Sequence, residues 1–386
     1  MKHLKLALSC IATAALLTAC GGGDDRTQFT QVVTFGDSIS DGGAYRMGTI
    51  AQLGGGQFTV NGAGAKVWSD ALAASLGAPA QCAAQTGLLA NNGVTGAAVV
   101  NVAACNNYAQ GSSRVTAVGS GPNGVALQQA PFNQKNLGYM ADSIQNQMNR
   151  HLAKSGTFGG NELVTVNGGG NDFFMQLGAV GAAAGGGAAA AGAGAIAGWP
   201  AATLAIVSAG GGAAANAASG AAVTAMGQAG TELATYVKSL IVAKGARYVV
   251  VRNLGDLNVT PLGATFDANT KQLSTAMTTT FNAQLKQGLT GLAGVIYFDD
   301  YARGQGISAN PTAAGYSNAT GTACGPDAFS APGDVIGSSV ICTANTLIKG
   351  DTSKYVFADS VHPTPYAHQD AANFTLNLMR NAGWNF

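Results

Sequence analysis

The sequence predicts an α/β protein of three layers, with helices on both faces of a mainly parallel central sheet. Two observations carry this reading. Four short runs rich in β-branched residues stand along the chain: QVVTF (31–35), LVTV (163–166), RYVVV (247–251) and VIYF (295–298). Each has the length of a strand and is apolar without alternation, as expected of strands buried on both sides. Helical periodicities lie between them. MADSIQNQMNRHL places Met140, Ile144, Met148 and Leu152 on one face, and ELATYVKSLI places Leu233, Tyr236, Val237, Leu240 and Ile241 on another. Strands that alternate with helices build a parallel sheet covered on both faces. A fifth, weaker strand candidate is AAVVNVA (97–103).

The chain opens with Lys2 and Lys5, an apolar run from Leu6 to Leu17, and then small residues. That is the layout of a secretory signal over residues 1–20, and its apolar core is too short for a comfortable membrane span. Its end, LTAC before Gly21, resembles a bacterial lipobox. The resemblance implies that Cys20 is lipidated and becomes the mature N-terminus, with residues 21–30 as a flexible polar tether. Gly21, rather than an Asp, points to the outer membrane. The expected location is therefore outside the cytoplasm, lipid-anchored to the bacterial outer membrane, and otherwise periplasmic or secreted. A plain signal peptide cut nearby is the alternative.

Residues 31–386 read as a single large domain. Only 10% of residues are charged, against roughly 25% in an average domain. Losing Lys2 and Lys5 moves the net charge from +1 to about −1. No basic patch points to nucleic acid. The weak charge fits an uncharged or apolar substrate. Asp172 and Glu232 enclose a run with no charged residue, dominated by Ala and Gly. Ala favours helix, while Gly clusters and Pro200 interrupt it. The stretch around 178–230 is read as an insertion of close-packed small-residue helices and loops, with a flexible linker as the alternative for its Gly-rich parts.

Beyond Cys10 and Cys20 the cysteines are Cys82, Cys105, Cys324 and Cys342. In an exported protein these suggest two disulfides, with three connectivities open. Nearest-neighbour pairing, Cys82–Cys105 and Cys324–Cys342, is the expectation. Zinc has neither a CxxC nor a nearby His pair to support it.

Four short motifs follow in order: FGDSIS at Ser38, NYAQGSSR at Gly111, VNGGGNDF at Asn171 and ADSVHPT at His362. Together they resemble the SGNH or GDSL family of serine hydrolases, whose four sequence blocks occur in this order. The resemblance runs from Val32 to the C-terminal helix and implies a flavodoxin-like α/β/α fold. Carried over by motif, it makes Ser38 the nucleophile, His362 its base and Asp359 the residue that orients the base. Ser38, Gly111 and Asn171 then line the oxyanion hole. GDSIS stands where relatives have GDSLS, which exchanges one apolar residue for another. GSS stands where relatives often have GGA, so Gly111 is retained while its neighbours are bulkier and the backbone there is free to sit differently.

The residues support these roles independently. A serine hydroxyl needs a positioned base to attack an ester carbonyl, and neutral imidazole suits near pH 7. The histidines after the leader are His151, His362 and His368. His151 sits near the apolar side of a helix and His368 in the first turns of the last one, so both read as structural. His362 has Asp359 three residues before it, close enough for a carboxylate to hold the imidazole's tautomer. Asn171 follows three glycines, and its amide has the chemistry to donate to a developing oxyanion. As a turn former or helix cap it would be unremarkable. Asp37 reads as a turn residue. Tyr45, Phe173 and Phe174 are candidates for an acyl pocket or for the core. No Gly-x-Ser-x-Gly occurs, which argues against the nucleophile elbow of an α/β-hydrolase.

The expectation is an exported hydrolase of carboxylic esters, lipid or other acyl esters, working through an acyl-enzyme and needing no metal or organic cofactor. The rival is a non-catalytic surface lipoprotein that keeps the fold as a binding module.

Overall fold

A computed structural model describes residues 26–90, 93–116, 140–330 and 337–386. The leader with Cys20, and residues 21–25 of the tether, lie outside the described residues. The strands are β1 (Gln31–Phe35), β2 (Gln85–Leu88), β3 (Ala97–Asn101), β4 (Glu162–Asn167), β5 (Tyr248–Arg252), β6 (Val295–Phe298), β7 (Asn318–Thr322) and β8 (Tyr355–Phe357). The helices are α1 (Gly48–Gln52), α2 (Trp68–Ser75), α3 (Ile144–Ser155), α4 (Gly170–Ala183), α5 (Gly187–Ile196) and α6 (Ala201–Ala209). They continue with α7 (Gly211–Tyr236), α8 (Pro261–Ala264), α9 (Ala268–Leu289), α10 (Asp300–Ala309) and α11 (Pro365–Asn381).

The central sheet runs β1-β4-β5-β6 with every pair parallel. Alternate residues of its strands feed two cores. Val33, Phe35, Val164, Val166, Val249 and Val251 face a large core shared with α3, α4, α7 and α9. Val32, Leu163, Val250 and Phe298 face a smaller one shared with α2 and α11. Burial on both faces explains the unbroken apolar runs. The fold is a three-layer α/β/α sandwich.

AAVVNVA does not join this sheet. It forms β3, which pairs antiparallel with β2 in an outlying hairpin, and Val99 and Val100 are exposed at 41% and 51%. The place beside β1 goes to the backbone just downstream. Thr34 N–H donates to Asn106 O (3.0 Å), Tyr108 N–H to Thr34 O (2.8 Å) and Gln110 N–H to Gly36 O (3.1 Å). An edge position needs backbone partners more than apolar side chains, so residue pattern alone did not find it.

The Ala/Gly stretch is helical, forming much of α4 and α7 and the whole of α5 and α6. Small residues there let helices approach closely. A Cβ on Gly230 of α7 would lie 2.3 Å from Phe281 O of α9. Among the described residues no helix is long and apolar enough to cross a membrane.

Both expected disulfides are formed, Cys82–Cys105 and Cys324–Cys342, with Cα–Cα distances of 5.1 and 5.9 Å. The first ties the approach to β2 to the segment beside β1. The second fastens the loop before β8 to the end of β7. Such bridges form in oxidising compartments.

Candidate active site

β1 ends at Phe35 and the chain turns through Gly36, Asp37 and Ser38. Gln147 of α3 brackets the turn: its Oε1 accepts from Gly36 N–H (2.8 Å) and its Nε2 donates to Gly36 O (2.9 Å). Asp37 Oδ1 accepts from Ile39 N–H (3.1 Å) and from Asn167 Nδ2 (2.6 Å), at the end of β4. Asp37 therefore fixes the turn. Burial raises its pKa, although these two donors oppose the shift. The result leaves Ser38 half-buried at the carboxyl end of β1, where ligands of parallel sheets bind.

The base arrives from the other end of the chain. Between β8 and α11 the backbone turns back on itself, with Ala358 N–H donating to His362 O (2.7 Å). Asp359 Oδ1 accepts from the N–H groups of Val361 (3.0 Å) and His362 (2.7 Å), and Oδ2 from Ser339 N–H (3.1 Å). His362 Nδ1 lies 2.8 Å from Asp359 Oδ2, and its Nε2 lies 2.9 Å from Ser38 Oγ. A proton on Nδ1, donated to the carboxylate, leaves Nε2 to accept from the serine hydroxyl. Burial alone would raise the Asp359 carboxyl, but the His362 imidazole, Ser339 and the Val361 N–H hold it far below the usual carboxylate range. Burial likewise works against the His362 imidazolium. Asp359, and then Asp37, outweigh it, so the His362 pKa stands above 6.5.

Asn171 is at the start of α4 and lines the same cavity as Ser38 and His362. One N–H of its side chain donates to Ser113 O (2.9 Å). The neighbouring Asp172 is buried and accepts from Arg114 Nε (3.0 Å) and Val115 N–H (2.9 Å). The loop at residues 111–115 is thereby fastened to α4.

Gly111 is set back from the cavity. Its N–H donates to Asp41 Oδ2 (2.9 Å), and Gly111 is not among the residues lining the cavity. Its small size serves packing: a Cβ there would lie 2.3 Å from Phe58 Cζ and 3.1 Å from Tyr45 Cε2. The next residue, Ser112, does line the cavity. At φ 68° it is the only non-glycine in the left-handed region among the described residues, a conformation that side-chain-bearing residues hold only when their surroundings impose it.

The remaining candidates separate cleanly. Tyr45 and Phe173 are core, whereas Phe174 borders the cavity. His151 is buried against Phe35, Tyr108 and Phe158, and burial lowers its pKa to about 4. His368 is buried and accepts from Trp68 N–H at Nδ1 (3.1 Å). Phe58 was not foreseen. It sits in a stretch without a motif, and its ring centroid lies 5.0 Å from that of His362. The cavity encloses about 370 Å³. From Ser38 it passes an apolar wall that includes Leu254, Leu257, Val259, Ile307 and Phe357. It also meets a partly buried ion-pair network in which Asp300 bridges Arg252 (2.7 Å) and Arg303 (3.2 Å).

A parallel α/β/α domain with a hydroxyl, an imidazole and a carboxylate in one hydrogen-bonded chain at its strand ends has the arrangement of a serine hydrolase. The family model for GDSL-like Lipase/Acylhydrolase matches residues 32–374, nearly the whole described fold. The chain belongs to that family, whose members are esterase- and lipase-type hydrolases. Among curated proteins none matches the chain.

Proposed function

We propose that the protein hydrolyses carboxylic esters with apolar acyl groups through an acyl-enzyme on Ser38. The observation that carries this is the Ser38–His362–Asp359 chain at the mouth of a largely apolar cavity. Ser38 Oγ attacks the ester carbonyl while His362 Nε2 takes its proton, and Asp359 stabilises the imidazolium. The oxyanion forms beside Ser38 N–H and the Asn171 amide. The second backbone donor is assigned to Ser112 rather than Gly111, because Gly111 N–H is held by Asp41 while Ser112 borders the cavity. His362 then gives its proton to the leaving alkoxide. It next takes one from water, whose oxygen attacks the acyl carbon, and Ser38 leaves with the proton as the acid is released. No step needs a metal or organic cofactor.

An apolar wall suits an acyl chain, lipid or otherwise. Retention of the serine, imidazole, carboxylate and amide in working geometry favours an enzyme over a binding module on the same fold.

Residues 31–386 serve as one hydrolase domain with the 178–230 helices as an insertion. The leader exports it, and lipidation of Cys20 holds it at the outer membrane. Incorporation of labelled palmitate that Cys20→Ala abolishes tests the anchor; a label retained in that variant removes it.

For the reaction, hydrolysis of p-nitrophenyl butyrate is compared in the protein and its Ser38→Ala variant. Turnover lost in the variant supports the acyl-enzyme. Equal turnover in both overturns it.

A further inference from the structure

We infer that Asp41 and Tyr45, two residues that touch no part of the cavity, are positioning residues for the oxyanion-binding wall. The inference rests on the serine-hydrolase reading above. Asp41 is buried three residues beyond Ser38 and spends both carboxylate oxygens on backbone N–H groups. Oδ1 accepts from Gly43 (2.8 Å) and Ala44 (2.7 Å), and Oδ2 from Gly111 (2.9 Å). Tyr45, fully buried, donates its hydroxyl to Gly111 O (2.7 Å). Burial and the nearby Asp41 raise the Tyr45 pKa well above its usual value, so the hydroxyl keeps its proton.

The two clamps act on consecutive peptide planes. Gly111 N–H belongs to the plane it shares with Gln110, whereas Gly111 C=O belongs to the plane it shares with Ser112. In a trans peptide the C=O and the following N–H point in opposite directions. Holding Gly111 O against Tyr45 therefore aims the Ser112 N–H away from Tyr45, and holding Gly111 N–H against Asp41 fixes the plane before it. Between these clamps and the Asn171 bond to Ser113 O, the backbone at Ser112 is held in its left-handed conformation. Donors aimed before the reaction are what an oxyanion hole requires. Asp41 also belongs to the turn that carries Ser38, with its own N–H donating to Ser38 O (3.4 Å). One carboxylate thus couples the nucleophile's turn to the wall that faces it.

Two isosteric substitutions test this. Tyr45→Phe keeps the ring and removes only the hydroxyl. In Asp41→Asn the amide oxygen can still serve Gly43 and Ala44, but its NH2 then faces the Gly111 N–H, donor against donor. Both variants and the wild-type protein are assayed for kcat and KM on p-nitrophenyl butyrate, for the rate of Ser38 labelling by a fluorophosphonate, and for cooperative melting. Outright loss of one oxyanion donor costs about a hundred- to a thousandfold in turnover. Misaiming one should cost about tenfold or more in kcat and in labelling rate, with KM changed by less than about threefold. Wild-type kcat and labelling in folded Tyr45→Phe overturn the inference even if Asp41→Asn fails to fold. A rise in KM at constant kcat overturns it too. Wild-type protein that is not labelled at Ser38 overturns the serine-hydrolase reading, and this inference with it.

Discussion

Phe58 and Gly111 are in contact because one lacks a side chain: the Phe58 ring fills the space that a Cβ on Gly111 would enter. The same ring lies tilted 37° against His362. Substituting at Gly111 thus reaches the base through one aromatic ring.

Gly111→Ala should therefore impair catalysis without touching a reacting group. The added methyl displaces Phe58 or the loop, an overpacking that costs about 1–3 kcal/mol in stability. With Phe58 displaced, His362 loses its packing partner. Turnover should fall by about tenfold or more, since small misplacements of catalytic groups are costly. A thermal melt and kcat on the same preparation check both parts; unchanged kcat would separate Phe58 from the alignment of the base.

The acid limb of the pH profile should lie above the ordinary histidine value. His362 must be neutral to accept the serine proton, and its pKa is raised above 6.5 by Asp359 and Asp37 against the effect of burial. A raised pKa keeps the imidazolium to higher pH, so kcat/KM should already be falling above pH 6.5 as the pH drops. Asp359→Asn removes the largest raising influence and should move the midpoint down, while turnover falls by about 10³ to 10⁴. A limb below pH 6 in the wild-type protein would contradict this assignment.

Asn171→Ala removes an amide that lines the cavity and also the bond to Ser113 O. Turnover should drop about a hundred- to a thousandfold with a much smaller change in KM. Kinetics on the purified variant decide it, and wild-type turnover would take Asn171 out of the mechanism.

The two disulfides should differ in their effect on activity more than on stability. They span 23 and 18 residues, so chain entropy gives each about 3 kcal/mol. Only Cys324–Cys342 fastens the loop that carries Ser339, whose N–H holds Asp359. Replacing that pair by Ala should lower both Tm and kcat. Replacing Cys82–Cys105 should lower Tm and leave kcat within about threefold.

The parts of the fold visible in the sequence were those with their own local signature. Val32–Phe35 and Tyr248–Arg252 are apolar because both faces of the sheet are covered, and that pattern is local. The Asp359–His362 pair was legible for the same reason, since three residues separate its members. What was not legible depends on contacts across the fold. The strand-like pairing of Asn106–Gln110 with β1 is made by backbone, and Val99 and Val100 carry apolar side chains onto an exposed hairpin. The motif marks the loop at Gly111, but the contacts that hold it come from Asp41, Tyr45 and Phe58, which reach it from 53 to 70 residues away and leave no local pattern.

Ser38 meets its base across 324 residues of chain. Near the sheet's opposite ends, Thr27 N–H donates to Asn385 O (2.7 Å) and the Phe29 ring lies 6.1 Å from that of Phe386. The first strand and the last helix must therefore both be in place before the serine gains its proton acceptor. During synthesis the nucleophile is made 324 residues ahead of its base. A chain cut short anywhere before His362 has no base for Ser38.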